Sequence, residues 1–146
     1  MLDAWLAGSQ ALGAEGLETD HPIRVTWTDS TGVVRQGLVR ELVEGTSNRR
    51  AEAWPKLVTR RTLDDADNLY ELSRLGHVAV RNPRFTVRAS DGALVMEPQE
   101  VIDLQALRAQ DPVRADWLAR RAQAEAADLV ERVKTALAAR APSAPE

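Results

Sequence analysis

The segment from residue 111 to residue 140 constrains the fold most, because it reads as one uninterrupted amphipathic helix. Asp111 is an N-cap residue and Pro112 suits the first helical position, so the helix has a defined start. Its apolar residues recur at the i, i+3, i+4, i+7 spacing of a single stripe. That stripe comprises Leu118, Ala119, Ala122, Ala126, Leu129, Val130, Val133 and Leu137. The rest of the helix surface is predicted to be solvated charge.

Three apolar residues of this helix fall on the side opposite the stripe. Val113, Trp117 and Ala124 lie there, amid Asp116, Arg120 and Arg121. One interpretation is that the first turn overhangs and packs Trp117 on another element of the same chain. The other is a contact with a partner protein or subunit, since an exposed aromatic residue among arginines is typical of an interface anchor. Val113 and Trp117 are therefore candidate partner-binding residues.

The first forty residues predict a helix and a β-hairpin. Residues 2–14 have the spacing of a short amphipathic helix. Residues 22–29 alternate between apolar and polar side chains, which predicts a strand with Ile23, Val25 and Trp27 on its buried face. The turn DSTG follows, and VVRQGLVRELVE then fits either a helix or a long strand with a bulge at its glycine. We favour the strand, because a hairpin follows naturally from the turn.

The middle of the chain predicts further strands around one helix. KLVTRRT predicts a third strand, after which Thr62 as N-cap and Asp65 at the capping-box spacing begin a helix that Gly76 ends. HVAVR and RFTVRAS are two strands, or one strand broken at Asn82-Pro83, since proline cannot donate to a sheet ladder. The SDG turn that follows is the strongest hairpin signal in the chain and leads into ALVME.

These elements together predict one α+β domain over residues 1–140. The order is α-β-β-β-α-β-β-α, with an antiparallel sheet of about five strands, helices packed on it and a long C-terminal helix. Residues 141–146, APSAPE, are predicted to be a disordered tail.

The element order from Leu2 to about Leu137 resembles the type III secretion chaperone fold and the related YbjN-like proteins, which are small dimeric α+β domains. The resemblance is one of architecture and carries over no functional residue. It implies a non-catalytic module that forms a homodimer and holds another protein.

Positive charge is concentrated in residues 45–62, GTSNRRAEAWPKLVTRRT, although the whole chain has a net charge of −3. The basic residues there are Arg49, Arg50, Lys56, Arg60 and Arg61. They predict contact with nucleic-acid phosphates or with an acidic protein, unless the segment is only a solvated loop. A strand at KLVTRRT would place Arg60 and Arg61 on opposite faces, so Arg49, Arg50 and Trp54 would be tested first. Trp54 is a third candidate partner contact, in a segment through Pro55 that is expected to be a mobile connection.

Enzymatic chemistry has little support in the residues present. The chain has no cysteine, which excludes disulfides, thiolate nucleophiles and sulfur-ligated metals. Its two histidines, His21 and His77, lie at element boundaries, and no serine lies in a G-x-S-x-G stretch. Asp64, Asp67 and Glu71 share one helix face and could hold magnesium or manganese, but acidic residues near a helix start are also explained by the helix dipole. We predict no catalytic residue, no cofactor and no metal.

The N-terminus lacks the basic region of a signal peptide, and its apolar run breaks at Gly8, so neither a signal peptide nor a membrane-spanning helix is expected. The sequence therefore predicts a cytoplasmic, non-enzymatic and dimeric adaptor or chaperone-like module that binds another protein. The alternative is a weak, sequence-independent nucleic-acid (DNA) binding protein that uses the basic loop.

Overall fold

The computed structural model describes residues 2 to 140, which form four helices and eight strands. The helices are α1 Leu2–Ala14, α2 Arg60–Arg74, α3 Leu104–Gln110 and α4 Pro112–Arg140. The strands are β1 Glu18–Thr19, β2 Ile23–Thr28, β3 Val34–Val39, β4 Gly45–Ser47, β5 Val78–Val80, β6 Arg84–Arg88, β7 Leu94–Glu97 and β8 Val101–Asp103. A 3-10 turn covers Trp54–Leu57. The tail predicted at residues 141–146 lies outside the described residues.

The strands form three separate ladders. The largest has the order β1-β7-β6-β4, in which β6 is antiparallel to β4 and β7, and β1 is parallel to β7. Within residues 2–140, β2 pairs only with β3, and β5 pairs only with β8. The α+β class and the long C-terminal helix are confirmed, but the single antiparallel sheet of about five strands and the predicted element order are wrong. Asn82 has a φ of +47° and precedes a proline, so the chain turns there and β5 cannot continue into the ladder of β6.

The predicted third strand at KLVTRRT is also wrong. Pro55 lies in the first turn of the 3-10 helix, where its missing N–H is not needed, and α2 begins shortly afterwards. Thr59 is the N-cap, and its backbone N–H donates to Thr62 Oγ1 at 2.9 Å. Thr62 is therefore at the third helical position and not at the N-cap. Arg60 and Arg61 are consecutive residues of a helix and do not point to opposite faces of a strand.

Several local predictions are confirmed. β2 and β3 form an antiparallel hairpin in continuous register from Ile23↔Val39 onward. Gly76, with a φ of +73°, follows the end of α2, and Gly92, with a φ of +79°, lies in the turn between β6 and β7. α4 begins at Pro112 and extends for 29 residues, which corresponds to about 44 Å.

The core lies between the main sheet, α2 and α4. α2 packs along α4 and also contacts β5 and β7. The predicted stripe of α4 is buried over most of its length, at Leu118, Ala122, Ala126, Leu129, Val130 and Val133. No helix within residues 2–140 combines the length and the apolar character needed to span a lipid bilayer.

Trp54 belongs to this core. A partner contact would require its side chain to be exposed, and it is not. Its side chain is fully buried and packs edge-to-face on Phe85, with ring centroids 5.4 Å apart and an interplanar angle of 86°. The 3-10 turn that carries Trp54 contacts β4, β6 and α4, so the indole closes one end of the core. The segment before it, predicted to be a mobile connection, includes β4, which pairs with β6.

Candidate functional site

The β2–β3 hairpin turns its apolar face to solvent. Ile23, Val25, Trp27 and Val39 share one face because they lie at matching parity in the register. The exposed fractions are 62% for Ile23, 47% for Trp27 and 53% for Val39, although the alternation predicted a buried face. The residues that share the face were predicted correctly, and the direction in which that face points was not. We call these four residues the hairpin face.

The opposite face of the hairpin contacts α1 near Arg24 and Leu38, and the rest of that face is exposed. Arg24 of β2 forms an ion pair with Asp3 of α1. Leu38 of β3 lines a small cavity together with Leu2 and Trp5 of α1. A mixed polar and apolar surface is thus used for the contact with α1, while Ile23, Trp27 and Val39 of the hairpin face stay exposed.

The tip of the hairpin is held by Asp29. Its Oδ1 accepts hydrogen bonds from the backbone N–H groups of Thr31 (2.8 Å) and Val33 (3.0 Å), and its Oδ2 accepts from Arg35 Nε (2.7 Å). Hydrogen bonds from Thr31, Arg35 and the turn backbone hold the pKa of Asp29 well below its usual range. The carboxylate is therefore ionised at neutral pH, and the turn presents the two strands in one geometry.

Gly37 lets Trp27 lie across the second strand. A Cβ atom at Gly37 would lie 3.2 Å from Cη2 of the Trp27 ring, so the indole covers the glycine closely. The register Val25↔Gly37 is regular, so the bulge predicted at this glycine is absent from the hairpin. The indole therefore forms a broad aromatic surface at the centre of the hairpin face.

The basic segment is partly neutralised by carboxylates. Three of its five basic residues form ion pairs, which are Arg49–Glu97, Arg60–Asp64 and Arg61–Asp65. Arg50 and Lys56 form no ion pair with any of residues 2–140. The structure does not gather the five predicted residues into one uncompensated patch, because Arg60 and Arg61 belong to α2 and Arg49 is drawn toward β7.

The two candidates on α4 are accessible. Val113 is exposed and Trp117 is 52% exposed. The guanidinium groups of Arg81 and Arg121 lie 5.6 Å and 5.4 Å from the centroid of the Trp117 ring. Trp117 therefore stacks with two arginines of its own chain. The sequence spacing of Trp117 and Arg121 could indicate one of these contacts, but not the contact with Arg81.

Two of the three candidate metal-ligating carboxylates of α2 form ion pairs. Asp64 is bound by Arg60, and Glu71 accepts from Arg74 at 2.6 Å. Within the described part of the chain, no group of three potential metal ligands occurs. Asp64, Asp67 and Glu71 therefore share a helix face without converging on a common point.

Comparisons with protein-family models, with curated proteins and with solved structures found no match. The resemblance of the element order to the type III secretion chaperone and YbjN-like folds therefore stays a prediction.

Proposed function

We propose that this protein is a non-enzymatic protein-binding module that forms a homodimer through the hairpin face. The observation that carries the proposal is an ordered hairpin whose apolar side is uncovered. Nine large apolar side chains are exposed within residues 2–140, and three of them, Ile23, Trp27 and Val39, lie on this one face. A concentrated apolar surface marks an interaction site, and a two-stranded hairpin is only marginally stable without further cover.

A second copy of the chain fits this surface better than a charged partner does. The only charged side chain at the parity of the hairpin face is Arg35, and Asp29 neutralises it. A neutral apolar patch is self-complementary, so a two-fold rotation can bury it against itself. Neither β2 nor β3 pairs with a third strand among the described residues, so strand pairing could extend across the dimer. The absence of cysteine suits such a module to a reducing cytosol.

The sharpest test compares two identical substitutions on one strand. Val39→Thr alters the hairpin face, whereas Val34→Thr alters an exposed valine on the opposite face of β3. We expect a dimer at micromolar concentration in sedimentation equilibrium. Val39→Thr should weaken it by roughly tenfold, and Ile23→Thr combined with Val39→Thr should abolish it. Val34→Thr should leave the dissociation constant unchanged.

Two results would contradict the proposal. One is a wild-type chain that stays monomeric at tens of micromolar concentration. The other is an equal effect of Val34→Thr and Val39→Thr, which would show that the hairpin is destabilised in general and that no specific face is buried. Circular dichroism of each variant establishes that the fold is retained.

The basic segment gives the nucleic-acid alternative less support. Once the ion pairs are formed, the segment offers Arg50 and Lys56 as its uncompensated charges within residues 2–140. Backbone binding of nucleic acid needs several phosphate contacts. Two separate cations supply too few for appreciable affinity at physiological salt concentration.

A further inference from the structure

A cavity of about 580 Å³ lies between the turn after β4, the connection from β5 to β6 and the middle of α4. It is lined by five arginines, which are Arg49, Arg81, Arg84, Arg121 and Arg132. They come from distant parts of the sequence, so the concentration of charge is created by the fold. Only Arg49 belongs to the basic segment identified in the sequence.

Three of these arginines have no anionic partner among the residues that the structure describes. Arg81 Nε donates to Glu125 Oε1 at 2.7 Å, and Arg49 is paired with Glu97, so both of these charges are compensated. The side chains of the other three form no ion pair or hydrogen bond with any of residues 2–140, and these are Arg84, Arg121 and Arg132. Asp128 is the remaining acidic residue of the lining. The cavity thus has an excess of about two positive charges, which matches the charge of roughly −1.5 to −2 on a phosphate monoester at neutral pH.

Aromatic rings hold two of the unpaired guanidinium groups. Arg121 lies over the ring of Trp117 at 5.4 Å, and Arg132 lies over the ring of Trp54 at 5.2 Å. Stacking on an indole positions a guanidinium group, whereas an ion pair would also consume its N–H donors. The donors of Arg121 and Arg132 are therefore positioned before a ligand arrives, which reduces the entropy that binding would cost.

The wall of the cavity is also built in advance. Asn48 Nδ2 donates to the carbonyl oxygen of Pro83 at 2.8 Å, and Asn48 Oδ1 accepts from the backbone N–H of Phe85 at 3.1 Å. Glu125 Oε2 accepts from the backbone N–H of Asn82 at 3.2 Å, which ties the same connection to α4. These hydrogen bonds join all three elements that surround the cavity.

The size of the cavity indicates a ligand larger than inorganic phosphate. Small-molecule sites commonly have volumes of roughly 300–1,000 Å³, and this cavity falls within that range. Pro83 and Ala124 supply apolar surface beside the arginines. The geometry points to a site for a phosphate monoester of a small organic molecule, with Arg84, Arg121 and Arg132 donating to the phosphate oxygens. The planar fork of arginine matches phosphate oxygens in pairs.

Isothermal titration calorimetry on the full chain tests this site with three probes at constant ionic strength. We expect inorganic phosphate to bind at millimolar concentration, AMP to bind at least as tightly, and adenosine to bind far more weakly than AMP. Failure of both phosphate-containing probes to bind at millimolar concentration would overturn the proposal. Equal binding of AMP and adenosine would do so too, because the phosphate would then contribute nothing.

A pair of adjacent arginines gives a matched control. Arg121→Gln removes a guanidinium group from the cavity, and Arg120→Gln removes the same charge one residue away, outside the lining. Loss of charge-assisted hydrogen bonds should raise the phosphate Kd of Arg121→Gln, and likewise of Arg132→Gln, by roughly ten- to a hundredfold. The phosphate Kd of Arg120→Gln should stay within about twofold of the wild-type value, as expected for an exposed charge outside the lining.

Two further outcomes bear on the assignment. Equal weakening by Arg120→Gln and Arg121→Gln would show a diffuse charge effect and overturn the site. The same would follow if a single-stranded oligonucleotide bound in an Arg121-dependent manner while inorganic phosphate and AMP did not, because the cavity would then be part of a nucleic-acid surface. Arg120→Gln and Arg121→Gln both alter exposed residues, and the melting curves of the two variants show directly whether they remain folded.

Discussion

Replacing Trp54 with alanine should remove one of the largest single contributions to stability. A buried tryptophan truncated to alanine costs roughly 3–5 kcal/mol, and the edge-to-face contact with Phe85 belongs to the upper part of that range. One effect acts in the opposite direction. Trp54 Nε1 is buried without a hydrogen-bond partner in the described part of the chain, and removing such a donor recovers about 1–3 kcal/mol. We therefore expect a net loss of about 3 kcal/mol.

Trp54→Phe separates these two contributions. It keeps most of the aromatic volume and removes the unpaired N–H, so its cost should be about 1 kcal/mol or less. Trp117→Ala is the matched control, because Trp117 is about half exposed, and its cost should also be about 1 kcal/mol or less.

Urea denaturation followed by circular dichroism measures the free energy of unfolding of Trp54→Ala, Trp54→Phe and Trp117→Ala. Single domains unfold with about 5–15 kcal/mol, so Trp54→Ala should shift the transition clearly and lower Tm by on the order of 10 °C. The reasoning is refuted if Trp54→Ala unfolds within 1 kcal/mol of the wild type, a margin taken from the usual effect of surface substitutions. Trp54 would then be a surface residue, and its role as a partner contact would have to be reconsidered.

Two other outcomes concern a turn and a buried carboxylate. Gly92→Ala should destabilise by on the order of 1–3 kcal/mol, because Gly92 has a φ of +79° and an added Cβ would lie 2.2 Å from Thr59 Oγ1. Gly13→Ala, with no atom within 4 Å of the new Cβ, should be neutral or slightly stabilising, and equal Tm values for the two variants would contradict this account. Burial raises the pKa of Asp65, whose Oδ2 accepts from the Leu94 N–H at 3.0 Å. Protonated Asp65 therefore stabilises the folded state fully at pH values below the unfolded pKa of 3.8. This contribution is lost as the pH rises through the folded pKa. Urea titrations at pH values from about 4 to 7 should therefore show that the free energy of unfolding of the wild type falls relative to that of Asp65→Asn. A rise over the same pH range would refute this prediction.

Three predictions made from local chemistry were accurate, although the N-cap at Thr62 and the bulge at Gly37 were not. Pro112 marks the start of α4, Gly76 the end of α2, and the SDG turn the hairpin between β6 and β7. Each of these signals acts through the backbone conformation of the residue itself, so distant residues do not alter it. The apolar stripe of α4 was predictable for a similar reason, because 3.6-residue spacing survives in any packed helix.

Properties that depend on distant residues could not be predicted. Alternation identified the residues on each face of β2, but docking against α1 decides which face points outward. The burial of Trp54 could not be predicted, because nothing near it in the sequence reveals that Phe85 packs on it. The arginine-lined cavity likewise joins Arg84 to Arg121 and Arg132 through the fold alone.

The short parallel pair between β1 and β7 has a consequence for the order in which the chain can fold during synthesis. Glu18 is aligned with Val95, so the first strand leaves the ribosome long before its partner strand β7 exists. At roughly 5–20 residues per second the wait is on the order of 4–15 s. The β2–β3 hairpin needs no later residue for its own ladder and can form at once. A nascent chain would thus present the hairpin face before the main sheet is complete.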